Sequence, residues 1–238
     1  MGHVCQFLVF VAAVVILPGS AWAGILFSDD FNTGTEPDAA KWTQREDGSC
    51  SVYLSGGVLY SKFIGTNSPQ YAYVTSPAMD LPAGWTEIVL TGQWAFPTQG
   101  YGECLIRLHD PDNTATNVQA SYVNWVGANP QKAWRATYTG SSGEYVNRAS
   151  LPTDLTDFTM TVTPTGWSFA TENGSISKAY ATTCMAGLDQ IQIRVGGWEY
   201  SSFWNIAAFE NIVLTPEPAT LALAALGACG LLIRRRTR

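Results

Sequence analysis

The fold class is decided by residues 157–171, which read DFTMTVTPTGWSFAT. Polar and apolar side chains alternate from Thr159 to Thr163, and a Pro164-Thr165-Gly166 turn then leads into a second short run. Period-two alternation is typical of a β-strand with one buried face, and the turn residues separate two such strands. This stretch therefore predicts antiparallel β-structure.

The same pattern recurs along the central part of the chain, with turn signals every eight to twelve residues. It predicts strands at 25–31, 51–55, 58–63, 71–75, 86–95, 102–109, 117–125, 133–138, 144–148, 157–163, 166–171, 189–195 and 204–214. Between the two ends of the chain, no stretch sustains helical spacing for three turns. Many short strands without helices predict an all-β sandwich or jelly roll.

Residues 1–23 have the features of a secretory signal peptide. Residues 7–17 form an uncharged apolar run, a Pro-Gly pair ends it, and Ala21-Trp22-Ala23 supplies small residues at the cleavage positions. This order predicts export through the translocon and cleavage by signal peptidase between Ala23 and Gly24.

The carboxy-terminal end, residues 216–238, has three parts in order. The motif Pro216-Glu217-Pro218 precedes an apolar helix at 219–233 and a basic tail at 234–238. These residues closely resemble the PEP-CTERM protein-sorting signal of Gram-negative, exopolysaccharide-producing bacteria. The resemblance implies processing by an exosortase near the motif, followed by attachment at the outer surface or release. Before processing, the helix is expected to anchor the chain in the membrane with its arginines in the cytoplasm; an ordinary membrane anchor is the alternative.

The remaining central domain, residues 24–215, is acidic. It contains 9 basic and 18 acidic residues, because four of the arginines lie in the tail. A surface of this sign repels phosphate backbones, so nucleic acid is not expected as a partner.

The two edges of the central domain carry a second resemblance. Residues 27–32 (FSDDFN), with Lys41-Trp42 after them, and residues 203–214 (FWNIAAFENIVL) resemble the first and last strands of concanavalin-A-like jelly rolls, which include LamG domains and laminarinase-type glucanases. The resemblance implies a jelly-roll β-sandwich in which these strands lie side by side. It does not transfer a function, because one fold carries many activities.

A structural calcium ion is one implication of this resemblance. In the glucanase relatives, an acidic residue on the first strand meets another on the last strand at calcium, and the matching positions are Asp30 and Glu210. Glu210 also shares strand parity with Ile212 and Leu214, which predicts a buried carboxylate that needs a cation, an arginine or hydrogen-bond donors as its partner. The sequence leaves these alternatives open.

The sequence offers little support for catalysis. The Glu-x-Asp-x-x-Glu motif of retaining laminarinase-type enzymes is absent. Because His109 is the single histidine of the central domain, zinc sites built on several histidines are excluded. His109 is expected at the surface beside a turn. Cys50, Cys104 and Cys184 predict one disulfide and one thiol, with three pairings open.

Aromatic side chains are the better candidates for ligand binding. Eight of the nine tryptophans lie in the central domain. Exposed flat rings on a sheet suit the apolar faces of sugars, whereas β-sandwiches also bury tryptophan in their cores. The candidates, expected on a concave sheet face or beside a loop, are Trp94, Tyr122, Trp125, Trp134 and Trp198.

The sequence therefore predicts an exported, exosortase-sorted protein of the cell surface or extracellular matrix. Its expected role is non-catalytic binding of polysaccharide, such as exopolysaccharide of a biofilm, or of another matrix component. A glycan-active hydrolase or lyase with an unrecognised site is an alternative. A structural surface protein without a small ligand is another.

Overall fold

The computed structural model describes residues 24–65, 68–97, 102–124, 132–138, 144–147, 153–180, 184–199 and 204–218. The expected signal peptide at 1–23, the apolar helix at 219–233 and the basic tail at 234–238 lie outside these ranges. Within the ranges the chain is all-β, as the sequence predicts. None of their residues forms a helix of the length and apolar character that a membrane span needs.

The described residues form sixteen strands, numbered in chain order. They are β1 (Phe27–Asp29), β2 (Thr43–Glu46), β3 (Ser51–Ser55), β4 (Val58–Ile64), β5 (Gln70–Thr75), β6 (Met79–Asp80), β7 (Trp85–Ala95), β8 (Gly102–His109), β9 (Asn117–Asn124), β10 (Lys132–Tyr138), β11 (Glu144–Asn147), β12 (Thr156–Thr163), β13 (Gly166–Thr171), β14 (Gly174–Ala179), β15 (Gln190–Glu199) and β16 (Trp204–Pro218).

The strands form two antiparallel sheets. Sheet A has the order β14-β13-β12-β7-β16-β4-β3, with β1 paired to β16. Sheet B has the order β11-β10-β9-β8-β15-β5-β2, with β6 paired to β15. The first and last strands lie side by side, with Phe27 opposite Leu214. The predicted β-sandwich is confirmed.

One hydrophobic core lies between the sheets. Sheet A contributes Leu90 and Phe158, and sheet B contributes Ile106 and Val195, all of which are buried. Burying one such side chain stabilises the fold by about 1.5–3 kcal/mol. Because this core lies within residues 24–218, that part of the chain is expected to fold by itself.

A β-bulge reverses the facing of β16 midway along the strand. Asn211 has a positive φ of 52°, and the pairing with β7 shifts register between Glu210 and Val213. Asparagine tolerates this left-handed conformation better than most residues, and a bulge supplies the extra residue. Odd-numbered positions such as Phe209 face the core before the bulge, and even-numbered positions such as Ile212 do so after it.

The last strand continues beyond the domain boundary that the sequence predicts at residue 215. Pro216 is buried opposite Ile88 of β7, and Glu217 lies opposite Glu87. The Thr86 hydroxyl donates a hydrogen bond of 3.2 Å to the Glu217 carbonyl oxygen. The Pro-Glu-Pro motif therefore forms the end of β16, an interior strand of sheet A.

Candidate functional site

A pocket with a volume of about 550 Å³ lies on the outer face of sheet B. This size falls within the range of about 300–1,000 Å³ that is usual for ligand sites. Its described lining residues, hereafter the arginine pocket, are Arg45, Tyr71, Tyr73, Glu103, Leu105, Arg107, Ala115, Asn117, Gln119, Arg135, Thr137, Tyr138, Arg194 and Trp198.

Strand alternation explains why these residues meet. On β8, Glu103 and Arg107 line the pocket, whereas Cys104 and Ile106 between them belong to the core. Neighbouring strands repeat the arrangement, because successive side chains of a strand point to opposite faces. The pocket face of sheet B is thus the polar half of a period-two pattern.

The arginine pocket has a charge of opposite sign to the domain around it. It contains four of the nine basic residues of the central domain, which are Arg45, Arg107, Arg135 and Arg194. Glu103 is the one carboxylate among its described lining residues. The pocket is therefore a positively charged area on an otherwise acidic domain.

Glu103 organises the floor of the pocket. Its side chain is buried and accepts hydrogen bonds from Gln119 Nε2 at 2.7 Å, Trp198 Nε1 at 3.0 Å and Arg135 Nη1 at 3.2 Å. The contact with Arg135 is also a salt bridge. A buried carboxylate with three donors is well satisfied, so Glu103 fixes the positions of these three side chains.

Arg45 is neutralised by its own neighbour. Its Nε and Nη2 atoms donate to the two carboxylate oxygens of Asp47 at 3.1 and 3.0 Å. Its guanidinium also stacks over the Tyr71 ring, with a distance of 4.5 Å to the centroid. The hydrogen bonds from Arg45 to Asp47 raise the pKa of Arg45 above its ordinary value.

Arg107 and Arg194 donate their side-chain hydrogen bonds to neutral groups of the described residues. Arg107 donates from Nε and Nη2 to the Gln119 side-chain oxygen, and the Nε bond measures 2.7 Å. Arg194 Nε donates to Thr75 Oγ1 at 3.1 Å, and its guanidinium lies 4.4 Å from the centroid of the Tyr73 ring. Burial lowers the pKa of both arginines.

The pocket also contains aromatic rings. Tyr71 and Trp198 lie with ring centroids 6.3 Å apart, and Tyr71 meets Tyr73 edge to face. Gly196 lies between Arg194 and Trp198 on β15, where a Cβ atom would come within 2.3 Å of the Ala72 carbonyl oxygen. A glycine is required there, and it lets β5 and β15 approach closely.

Two of the predicted ligand-binding residues, Trp94 and Tyr122, are core residues instead. Trp94 is 1% exposed and Tyr122 is 0% exposed, and their rings stack with centroids 4.5 Å apart. Their even-numbered positions on β7 and β9 face the space between the sheets. The prediction that these rings bind a surface ligand is therefore wrong.

The other three aromatic candidates have different outcomes. Trp198 lines the arginine pocket, as a binding residue would. It lies inside β15 rather than beside a loop, because Gly196 and Gly197 form part of that strand. The backbone of Trp134 pairs with Tyr122 across β9 and β10. Trp125 and the side chain of Trp134 lie outside the part of the chain that the structure describes.

The prediction that Glu210 is a buried carboxylate, which supported calcium binding with Asp30, is wrong. Asp30 follows β1 and is exposed, and Glu210 is only partly buried because it precedes the bulge. Among the described residues, no group of three or more His, Cys, Asp or Glu side chains is placed to hold a metal ion. The core carboxylate of this region is Asp29, which accepts a 2.7 Å bond from Trp42 Nε1. Calcium binding itself stays a prediction.

The histidine and cysteine expectations are also corrected. His109 is buried at the end of β8, and its Nδ1 atom lies 3.0 Å from the carbonyl oxygen of Asp110. The structure joins no two of Cys50, Cys104 and Cys184 in a disulfide. Burial of Cys50 and Cys104 raises the pKa of both thiols.

Sequence reasoning missed the arginines, Glu103 and Gln119. For all of them except Arg45, the available signal was alternation, because each lies at a polar position of a predicted strand; Arg45 lies on β2, which alternation does not reveal. These side chains come together only through the order of strands in sheet B. In that order Arg107 pairs with Arg194, which lies 87 positions later in the chain.

Comparison with protein families identifies the carboxy-terminal segment. The family model for the PEP-CTERM protein-sorting motif matches residues 214–236. The chain carries a PEP-CTERM sorting motif. This motif indicates export and sorting to the cell surface, and it implies processing by an exosortase. We find no match among curated proteins.

Solved structures show the fold of the domain that precedes the PEP-CTERM motif. Peanut lectin is 10% identical with a TM-score of 0.58, over 80% of this chain and 97% of the lectin. The marine PL7 alginate lyase from Zobellia galactanivorans is 11% identical with a TM-score of 0.54, over 76% of this chain and 96% of the lyase. A sialidase is 13% identical with a TM-score of 0.58 over 79% of this chain, but the match spans only 18% of the sialidase. The domain is a concanavalin-A-like jelly roll.

Proposed function

We propose that this exported protein binds polysaccharide in the arginine pocket and thereby attaches to the matrix outside the cell. The observation that carries the proposal is the pocket itself, in which aromatic rings and hydrogen-bonding side chains share one open face of sheet B. Sugars suit this combination, because their apolar faces stack on rings and their hydroxyl groups bind polar side chains. The lectin and alginate lyase with similar folds support the same ligand class.

A binding role fits the carboxylates better than hydrolysis does. Hydrolases of glycosidic bonds canonically use two carboxyl groups on either side of the bond. Among the described lining residues, Glu103 alone carries a carboxylate, and three donors already occupy it.

The direct test compares two tryptophans. Residues 24–218 are applied to a glycan array, and hits are measured by affinity electrophoresis. Trp198→Ala removes a ring of the arginine pocket, whereas Trp204→Ala removes a ring that is 52% exposed on sheet A. Binding lost in the first variant and kept in the second supports the proposal, provided that both variants unfold cooperatively. Failure of the unaltered domain to bind any glycan contradicts it and favours a structural surface protein.

A lyase is the second candidate function, because Tyr73 lies among cations. Its hydroxyl oxygen accepts a 3.3 Å bond from Arg45 Nη1, and the Arg194 guanidinium covers its ring. A tyrosine beside arginines is suited to proton transfer next to a sugar carboxylate. Release of unsaturated sugars from a bound polysaccharide, abolished in Tyr73→Phe, supports this activity; binding without release contradicts it.

A further inference from the structure

The pocket brings two arginines into direct opposition. Arg107 of β8 and Arg194 of β15 are paired positions in the antiparallel ladder, and both side chains line the pocket. Like charges at directly opposite positions of neighbouring strands destabilise a sheet. A pair of this kind therefore needs a compensating interaction.

Glu103 attracts Arg107 electrostatically, but no carboxylate of the described residues forms a salt bridge with Arg107 or Arg194. The salt bridges at the pocket engage the other two arginines, Arg45 with Asp47 and Arg135 with Glu103. Arg107 bonds to an amide, and Arg194 bonds to a hydroxyl and covers a ring. The positive charge of Arg194 is one of the causes that lower the pKa of Arg107, after burial. Two partly buried guanidinium groups thus share one side of the pocket, and the carboxylate of its described lining, Glu103, forms its salt bridge with Arg135 instead.

The geometry around the pair indicates what kind of anion would fit. Guanidinium groups bind carboxylates through paired N–H donors, and they do so more strongly when water is partly excluded. Tyr73 lies under Arg194, Tyr71 meets Tyr73 edge to face, and Trp198 lies beside Tyr71. An anion carried on a sugar ring uses the charges and the aromatic surface together.

We propose that the ligand is an acidic polysaccharide, and that a uronate carboxylate binds between Arg107 and Arg194. This inference rests on the proposed function, because it names the substrate class of the same pocket. The aromatic rings then position the sugar, and the two arginines select for its charge.

The test uses one polymer in two charge states. Residues 24–218 are titrated with polygalacturonate and with its fully methyl-esterified form, which has the same backbone without the negative charge. The expected result is binding of the acid, at least about tenfold weaker binding of the ester, and loss of affinity as sodium chloride screens the charges. Equal binding of the two forms overturns the inference.

Three variants locate the effect. Arg107→Gln and Arg194→Gln are each expected to weaken polygalacturonate binding by about tenfold or more. Lys62→Gln removes a charge beside Trp204 on sheet A and is expected to change it less than about twofold. Thermal unfolding identifies any variant that fails to fold, and the comparison of acid with ester on the unaltered protein remains decisive in that case.

Three further results separate the possible failures. Dextran sulfate that binds as tightly as polygalacturonate shows a general polyanion site and overturns the selection for carboxylate. A neutral glycan that binds in a Trp198-dependent manner, with no effect of either arginine variant, leaves the proposed function standing and overturns only the acidic ligand. Absence of binding to every polysaccharide overturns both.

Discussion

The indole ring of Trp94 stacks on the phenol ring of Tyr122, with centroids 4.5 Å apart. Trp94 belongs to β7 of sheet A and Tyr122 to β9 of sheet B, so this contact joins the two sheets across the core. Phe158 and Phe169 surround Trp94 at centroid distances of 6.2 and 5.0 Å. Four aromatic rings thus fill the centre of the sandwich.

Trp94→Ala is expected to lower the free energy of unfolding by about 3–5 kcal/mol, because it leaves a large cavity among these rings. Trp204→Ala, at an exposed position, is expected to change it by about 0.5 kcal/mol or less. Urea titration followed by fluorescence measures both. Similar unfolding midpoints for the two variants would contradict the assignment of Trp94 to the core.

Glu103→Gln is expected to destabilise the domain by about 3–5 kcal/mol, because the change leaves Arg135 without its buried counter-charge. It also loosens Trp198, so glycan binding should weaken together with stability. The exposed Glu172→Gln serves as the control, with an expected change of about 0.5 kcal/mol or less. Calorimetry and affinity electrophoresis measure the two effects. Unchanged stability would show that Glu103 does not hold the pocket floor together.

His109 is expected to make stability depend on pH. Burial lowers its pKa below the ordinary value of 6.5, so the unfolded chain takes up a proton at a pH where the folded protein keeps the ring neutral. The free energy of unfolding therefore falls as the pH drops through about 6.5 and below. We expect a smaller fall between about pH 7 and pH 5 in His109→Gln than in the unaltered domain. Parallel pH profiles from urea titrations would refute this role.

Calcium at Asp30 and Glu210 can be tested by chelation. If the ion binds, calcium raises the melting temperature of residues 24–218, EDTA reverses the rise, and Glu210→Ala abolishes it. Asp157→Ala, which removes another carboxylate of sheet A, serves as the control and should retain the rise. If neither calcium nor EDTA changes the melting temperature, the prediction of a structural calcium ion is wrong.

The period of two in the sequence was sufficient to predict the fold, but not every strand. β3, β8 and β13 have the predicted bounds. The strands β2, β6 and β14 were missed, because Thr43–Glu46 has four exposed residues, Met79–Asp80 has only two residues, and Gly174–Ala179 has a single large apolar side chain, Ile176. Alternation identifies a strand only when one of its faces is buried.

The candidate site was harder to predict for two physical reasons. Alternation does not tell which face of a strand meets the other sheet, so Trp94 and Tyr122 were placed on the wrong side. At Glu210, the bulge at Asn211 reversed the parity on which the prediction depended. The arginine pocket depends on pairings between distant segments, such as β8 with β15, which local patterns do not encode.

Because β16 continues through Pro216 and Glu217, the position at which the sorting signal is cut affects how much of sheet A remains paired. A scissile bond upstream of Pro216 would remove a buried residue and shorten the ladder with β7, whereas one downstream of Pro218 would leave every rung in place. In the folded protein, the Pro-Glu-Pro motif is therefore the paired end of a strand of sheet A. The position of the cut therefore determines whether the processed chain keeps all of the backbone pairing between β16 and β7.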